Sequence, residues 1–178
     1  MVLPLRRSPF MTIAANCAPE LLVQAWFNTD RPLSLAALRG RVVVLAAFQV
    51  LCPNSVSVGI PQARRIYETF APDDVAVIGM HTTFEHHDAF STPVLRAFIQ
   101  ENRLKFPIAL DQPNPSSPIP CTMERYKMRG TPSLVLIDRH GAVRKHAFGA
   151  VDDLRIGAEI GALTQESATA ALARSSAA

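Results

Sequence analysis

Continuous hydrophobic runs alternate along the chain with segments whose apolar residues recur at helical spacing. The run VVVLAAF at 42–48 has no polar residue, which is typical of a strand buried on both faces of a parallel sheet. Six segments have a strand pattern of this or a shorter kind: 21–27, 42–48, 75–80, 106–110, 133–138 and 142–148. The first predicts an accessory strand or hairpin arm, and the last two predict a hairpin.

Four other segments predict helices. They are a single turn at 34–40 closed by Gly40, a long helix at 53–70, a helix with Thr92 as its N-cap, and a last helix at 152–163. Pro61 predicts a kink in the long helix because it has no backbone N–H to donate. The order of elements predicts a largely parallel sheet, to which the terminal hairpin adds antiparallel strands. The predicted fold class is therefore α/β, with a central mixed sheet flanked by helices.

The composition is that of one globular domain. A chain of 178 residues, 48% hydrophobic and 19% charged, can bury a core without disulfides or metal. We predict a domain over 21–163, between a flexible leader at 1–20 and a flexible tail at 164–178. The 18 basic and 15 acidic residues give a net charge of +3 and are scattered, so no nucleic-acid-binding surface is predicted.

The chain also lacks the patterns of a membrane protein or a secreted one. No apolar stretch reaches the roughly 18 residues that cross a bilayer, and residues 1–20 have no continuous apolar core of a secretory signal. The sequence favours the cytoplasm, and a periplasmic location would require that a signal has been removed. The cysteines Cys17, Cys52 and Cys121 have unrelated spacings, which argues against a disulfide scaffold. Cys17, in the leader, is interpreted as an incidental thiol.

Cys52 lies where the first central strand passes into a helix, within the stretch AFQVLCPNSV. Ligands and chemistry collect at this edge of an α/β sheet. With Pro53 in the first helical position, unpaired backbone N–H groups and the helix dipole face the residue before it and stabilise a thiolate there. On position alone, an inert buried cysteine is equally consistent with the pattern.

A second motif, MRGTPS at 128–133, directly precedes a buried strand, and X-Pro bonds such as Thr131–Pro132 adopt the cis form at modest cost. Taken together, LCPNS and MRGTPSLVLID resemble the active-site loop and the cis-proline loop of the thioredoxin superfamily. The segments LRGRVVVLAAF, FPIALD and RGTPSLVLIDRHGAV resemble more narrowly the redoxin or TlpA-like branch of thiol-disulfide oxidoreductases. The resemblance covers residues 26–163.

This resemblance implies a thioredoxin-like fold with an N-terminal extension and an insertion between a core strand and the cis-proline loop. It implies that Cys52 is the nucleophile in disulfide exchange and that Thr131 and Pro132 present their backbone to the substrate. Leu51 and Asn54, which flank the cysteine loop, are expected to contact substrate as well. The implied partners are a protein or small-molecule disulfide and an external thiol reductant, and no cofactor is predicted.

The sequence departs from the family at three positions. Ser55 stands where the family has its resolving cysteine, Leu51 replaces the usual tryptophan, and Ala46 replaces a buried aspartate. A serine cannot form a disulfide, but its hydroxyl can donate a hydrogen bond to a thiolate at Cys52. Three explanations stay open: Ser55 is natural in a one-cysteine enzyme, it is a substitution of cysteine, or Cys121 resolves Cys52.

Several polar residues are candidates for accessory roles. His81 follows the second central strand and is expected at the rim of the site, where it would supply positive charge or a proton. Arg129 precedes the cis-proline loop and would favour an anionic substrate or the thiolate. The segment 81–87 contains three histidines and a glutamate, but without the fixed spacing of a metal site, so no metal is predicted.

The sequence thus predicts an enzyme, a thiol-disulfide oxidoreductase that acts through mixed disulfides at Cys52. A binding or adaptor module without turnover is the alternative from another class, favoured by Ser55 and by the missing acid at Ala46. A thiol peroxidase is the other alternative. Peroxiredoxins have a threonine three residues before the reactive cysteine, and this chain has Gln49 there.

Overall fold

A six-stranded mixed sheet forms the centre of the protein. The computed structural model describes residues 17–175, with side chains as far as residue 166. The strands are β1 (Val23–Phe27), β2 (Val42–Phe48), β3 (Val75–His81), β4 (Ile108–Asp111), β5 (Ser133–Ile137) and β6 (Val143–Phe148). They lie side by side in the order β1-β4-β3-β2-β5-β6.

Strand pairing confirms the mixed sheet that the sequence predicts. Strands β2, β3 and β4 are parallel, whereas β1 joins β4 antiparallel, and β5 and β6 follow β2 as an antiparallel pair. Every residue of β2 is buried, as its continuous apolar run indicates. The carboxyl ends of β2, β3 and β4 therefore meet at one edge of the sheet.

Helices cover both faces of the sheet unequally. The four α-helices are α1 (Ile60–Thr69), α2 (Thr92–Glu101), α3 (Cys121–Arg125) and α4 (Asp153–Ser175). Apolar residues of α1, α2 and α4 pack on one face, and α3 together with the segments before β2 packs on the other. Among residues 17–175, no helix combines the length and the apolar character that a membrane crossing requires.

The described chain extends into both segments that the sequence predicts as flexible ends. From Cys17 on, the predicted leader at 1–20 packs on the body: Ala18 is buried, and its N–H donates to the carbonyl oxygen of Gly141 at 2.8 Å. At the other end α4 continues to Ser175, through the predicted flexible tail, because its alanine-rich extension favours a helix. Residues 1–16 and 176–178 lie outside the described range.

Two local expectations also differ from the structure. The predicted helical turn at 34–40 is a set of hydrogen-bonded turns, in which the N–H of Leu38 donates to the carbonyl oxygen of Leu35 at 3.2 Å. Gly40 ends it with φ of +89°, a conformation that favours glycine. The N-cap of α2 is Ser91 and not Thr92, because the extended backbone of Ser91 leaves Thr92 as the first helical residue.

Candidate active site

Cys52 lies in the short loop that joins β2 to the following helix. Its N–H donates to the carbonyl oxygen of Gln49 at 3.0 Å, and its own carbonyl oxygen accepts from the N–H of Val56 at 3.1 Å. The helix begins at Pro53, as predicted, so Cys52 is the N-cap. The first-turn proline removes no hydrogen bond, because the first N–H groups of a helix have no partner within it.

The helix that follows Cys52 opens with a wide π-helical segment, Ser55–Gly59, before it continues as α1. In this segment the N–H of Ile60 donates to the carbonyl oxygen of Ser55, five residues earlier. Pro61 has no N–H to continue the regular α-helical pattern, which gives the irregularity a cause in the sequence. Where the sequence predicts a kink at Pro61, the structure therefore has a widened turn just before it.

Gly59, in this wide turn, brings the helix against the proline loop. A Cβ atom at Gly59 would lie 2.7 Å from Cβ of Pro132, closer than side chains approach. The backbone of Gly59 is helical, with φ of −63°, a conformation that any residue can adopt. The close contact with Pro132, and not the backbone conformation, therefore requires a glycine here. Gly59 was not among the predicted site residues, although a glycine inside a helical segment is a recognised sign of close packing.

The loop before β5 presents its backbone to the sulfur of Cys52. The Thr131–Pro132 peptide bond is cis, as predicted. The thiol of Cys52 donates to the carbonyl oxygen of Thr131 across 3.3 Å. Strand β6 holds the loop, since the N–H of Gly149 donates to the carbonyl oxygen of Pro132 at 2.8 Å. The structure thus brings Cys52 next to Thr131 and Pro132, although Cys52 and Thr131 are 79 residues apart in the chain.

Ser55 lies directly beneath the sulfur and is fully buried, with 0% exposure. Its hydroxyl oxygen accepts from the N–H of Gln49 at 3.4 Å, which leaves the hydroxyl hydrogen free to face Cys52. Burial raises the pKa of the Cys52 thiol, but hydrogen bonds from the Ser55 hydroxyl and backbone, then from Thr131 and Asn54, outweigh it and lower the pKa below its ordinary value. The arrangement therefore favours a thiolate.

Thr131 contributes through its side chain as well as through its carbonyl group. Its hydroxyl is buried and has no other hydrogen-bond partner among the described residues, and it is one of the groups that lower the pKa of Cys52. A threonine in place of an alkyl residue before the proline therefore adds a donor directed at the sulfur.

Exposed apolar side chains lie in the cysteine loop and beside the proline loop, and Cys52 is itself half-buried. Leu51 is 47% exposed and Val56 is 36% exposed in the segment that contains Cys52, and Asn54 in the same segment is also exposed. Phe148, at the end of β6, is 49% exposed beside the proline loop. We call these exposed apolar side chains the apolar rim. Leu51 was predicted as a substrate contact, whereas Phe148 was predicted only as part of a strand.

The lining of the small cavity below the site includes no acidic side chain. A cavity of about 10 Å³, with room for at most one water molecule, is lined by Ala46, Gly59, Pro132 and other residues that do not ionise. Its buried amide, Gln62, donates to the carbonyl oxygen of Val151 and to Asp153, both at 2.7 Å. Because residue 46 is alanine, this site cannot transfer a proton to a buried carboxylate at that position.

His81 lies in the core and not at the rim where the sequence places it. The strand β3 continues through His81, whose ring is 0% exposed and stacks 4.5 Å from the ring of Phe90. Burial lowers its pKa to about 3, so the imidazole is neutral and cannot supply positive charge or a proton. Its Nε2 accepts from the N–H of Val50 at 3.3 Å, which anchors the loop two residues before Cys52.

Cys121 lies away from Cys52. Its N–H donates to the carbonyl oxygen of Gln112, just after β4, and its thiol donates to the carbonyl oxygen of Pro113 at 3.6 Å. Strand β3 separates β4 from β2, and all three cysteines are free thiols. Cys17 is exposed, and its sulfur accepts from Arg39 at 3.8 Å instead of lying in a mobile leader.

The remaining predicted residues lie on exposed loops. Arg129 is exposed, and its guanidinium carbon lies 5.3 Å from the ring centre of Phe148, beside the proline loop. The residues 85–87 are exposed after β3. Over residues 17–175, histidine, cysteine and carboxylate side chains form no group of three or more that is suited to hold a metal ion.

Comparison with known proteins places the chain among thiol-based redox proteins. The AhpC/TSA family matches residues 14–146. The thioredoxin-like superfamily protein SPOA0173 is 52% identical, with a TM-score of 0.84 over 85% of this chain and 98% of its own. A thiol-disulfide isomerase from Corynebacterium glutamicum is 46% identical, with a TM-score of 0.80 over 84% of this chain and 97% of its own. The predicted thioredoxin-like fold is confirmed.

A longer relative is similar over part of its length. Protein DipZ of Mycobacterium bovis and of Mycobacterium tuberculosis is 31% identical over 142 residues, which are 78% of this chain. The chain spans only 19% of the length of DipZ. This similarity therefore concerns one portion of DipZ.

Proposed function

The chain belongs to the AhpC/TSA family and has a thioredoxin-like fold, and from that premise we propose that it is a thiol-disulfide oxidoreductase with Cys52 as its nucleophile. One observation carries the proposal: the sulfur of Cys52 lies 3.3 Å from the carbonyl oxygen of Thr131, with hydrogen-bond donors converging on it. A structural cysteine does not need these donors, whereas a nucleophile needs a stabilised anion, and the carbonyl contact places the sulfur beside the cis-proline loop.

The chemistry follows from this geometry. The thiolate of Cys52 attacks one sulfur of a substrate disulfide, a new S–S bond forms, and the old S–S bond breaks. The departing sulfur leaves with the bonding electron pair as a thiolate and takes a proton from solvent. Pro132 and Thr131 form the wall against which the substrate backbone lies, and the exposed Leu51 and Asn54 contact it from the other side.

Ser55 determines how the mixed disulfide is released. It cannot attack the new S–S bond, so a second thiol must come from outside the loop. An external thiol R–SH attacks the mixed disulfide, forms a disulfide with the bound group, and returns Cys52 to the thiolate. In this scheme Ser55 stabilises the anion of Cys52 both before attack and after release. An external thiol reductant fits the reducing, cytoplasmic setting that the sequence predicts.

The proposal is tested by incubating the protein with glutathione disulfide and with oxidised insulin, and by following the mass of the adduct. We expect an adduct on Cys52, release of that adduct by dithiothreitol, and loss of the adduct at position 52 in Cys52→Ser, with the site of each adduct located by peptide mass. The variant Cys121→Ser is the matched control and keeps the adduct.

Other outcomes separate the alternatives. If Cys52 forms no adduct and shows the reactivity of an ordinary thiol, yet the protein still binds peptides, it is an adaptor without turnover. Rapid sulfenic acid formation with hydrogen peroxide, without disulfide exchange, would instead show a thiol peroxidase. Either result overturns the assignment.

A further inference from the structure

A basic pocket lies beside the proline loop. We use this name for the depression of about 140 Å³ that is lined by Lys127, Arg129, His146 and Phe148. His146 and Phe148 are two residues apart on β6, so both side chains lie on the same face of that strand. Lys127 and Arg129 come from the segment that leads into the proline loop, and both are exposed.

The pocket is fixed to the proline loop by a close contact. Phe148 is paired with Ser133 across the β5–β6 ladder. A Cβ atom at Gly130 would lie 2.9 Å from the ring of Phe148, so the aromatic ring rests on the backbone directly before Thr131. Arg129 stacks on the same ring, with 5.3 Å between its guanidinium carbon and the ring centre. Arg129 itself stands two residues before Thr131 in the chain.

The cations of the basic pocket differ from neighbouring cations of β6 in their ion pairing. Two neighbouring cations of β6 are paired, since Arg144 contacts Glu166 and Lys145 contacts Glu159 at 2.8 Å. Among the side chains that the structure describes, no carboxylate forms an ion pair with Arg129 or Lys127. The charge of Arg129 also reaches His146, whose pKa is lowered by burial and then by that charge.

This charge is not directed at the nucleophile. The groups that lower the pKa of Cys52 are Ser55, Thr131 and Asn54, and Arg129 is not one of them. Arg129 lies beside the proline loop, and an exposed cation held in place by an aromatic ring is suited to bind a carboxylate.

We propose that the basic pocket selects anionic disulfides, by binding a substrate carboxylate while Cys52 attacks the substrate sulfur. This inference rests on the proposed function and names its substrate class. The products are the mixed disulfide at Cys52, with its carboxylate on Arg129, and one free carboxylate-bearing thiol. The electron pair of the broken S–S bond leaves with that thiol, which takes its proton from solvent.

Three small disulfides that differ in charge test the proposal: 3,3′-dithiodipropionate, 2-hydroxyethyl disulfide and cystamine, which are anionic, neutral and cationic. For each disulfide, the rate of adduct formation at Cys52 is divided by the rate at which the same disulfide reacts with free 2-mercaptoethanol. This division corrects for the intrinsic reactivity of the disulfide. We expect the anionic probe to react about threefold to fivefold faster than the neutral probe, and the cationic probe to react slowest. The preference should shrink as salt is added.

Arg129→Gln is expected to remove most of this preference, so that the normalised rates with the anionic and the neutral probe converge. Arg31→Gln is the matched control. It removes the same charge from an exposed turn after β1, at the opposite edge of the sheet. If both variants lose the preference equally, the net charge of the protein is responsible and the pocket is not.

The two proposals fail in different ways. Equal normalised rates for the three probes, unaltered in Arg129→Gln, would overturn the basic pocket as a selective site and leave the oxidoreductase intact. Failure of all three probes to form an adduct with Cys52 would overturn the proposed function itself. Circular dichroism of Arg129→Gln confirms that the fold is retained.

Discussion

Cys52 and Cys121 have similar positions in the fold but different surroundings. Each is half-buried, follows a strand at the same edge of the sheet, and lies at the start of a helix. The sulfur of Cys52 meets the Thr131 carbonyl group at 3.3 Å, and donors from Ser55, Thr131 and Asn54 face it. The sulfur of Cys121 meets only the carbonyl oxygen of Pro113, at 3.6 Å.

The length of the following helix also differs. The helix after Cys52 is continuous from residue 53 to residue 69, whereas α3 is only five residues long. A strand-to-helix junction is therefore not enough to activate a cysteine. What distinguishes Cys52 is a second loop, 79 residues away in the chain, that closes over the sulfur and supplies further donors.

Ser55→Cys gives the largest expected effect on the Cys52 side of this comparison. A second sulfur at position 55 attacks the mixed disulfide within the same loop, and intramolecular attack is far faster than attack by an external thiol. We expect release of the bound thiol to speed up by about 100-fold or more. Stopped-flow measurement of thiol release checks this. An unchanged rate would show that residue 55 is not placed to reach the sulfur of Cys52.

Gly59→Ala tests whether the proline loop must stay close to the helix. The new methyl group meets Pro132 at 2.7 Å, so we expect a loss of about 1–3 kcal/mol in unfolding free energy and a slower adduct formation. Gly157→Ala is the matched control, because nothing lies within 4 Å of a Cβ there. In α4 it should stabilise the protein by up to about 1 kcal/mol. Equal effects of the two variants on urea unfolding would contradict the contact.

His81 makes the stability of the Cys52 loop dependent on pH. Its folded-state pKa of about 3 lies below the unfolded value of 6.5, so the unfolded chain binds the extra proton. The stability from neutral His81 is therefore present above pH 6.5 and is lost as pH falls toward 3.

As pH falls from 6 to 4.5, we expect the unfolding free energy of the wild type to decrease more steeply than that of His81→Gln. The difference between the two slopes should be about 1.4 kcal/mol per pH unit. The raised pKa of Asp111, which burial causes, acts in the opposite direction in both proteins and cancels in this difference. Parallel slopes for wild type and His81→Gln would show that the imidazole is not buried.

Cys121→Ser has the smallest expected effect and tests the other side of the comparison directly. Because β3 separates the two thiols, we expect exchange rates within about twofold of wild type, an estimate that follows from near-independence of distant sites. Loss of thiol release in this variant, with retained adduct formation, would make Cys121 the resolving residue and would overturn the external-thiol scheme.

Much of the fold was predictable from local patterns. The apolar run at 42–48 gave the bounds of β2, since a strand buried on both faces leaves no room for polar residues. The Thr131–Pro132 motif predicted the cis bond that the structure contains. Alternation of strands and helices predicted the parallel centre of the sheet.

The errors came from contacts between distant segments. His81 was expected at the rim because it follows an apolar run, but Phe90 folds back over it from the next loop. The close approach of Gly59 to Pro132 likewise joins two segments that no local pattern relates. The order of Cys17 depends on residues near Gly141, at the far end of the chain.

The central claim is that converging hydrogen bonds hold Cys52 as a thiolate. The rate of alkylation by iodoacetamide, measured against pH in a Cys17→Ser/Cys121→Ser protein, reports the pKa of this sulfur alone. We predict an apparent pKa below the ordinary cysteine value of about 8.5, and a higher one when Ser55→Ala is added. Ser133→Ala, which removes a buried hydroxyl that donates to Gly130 instead, should leave the pKa unchanged. A pKa at or above the ordinary value, insensitive to Ser55→Ala, would contradict the claim.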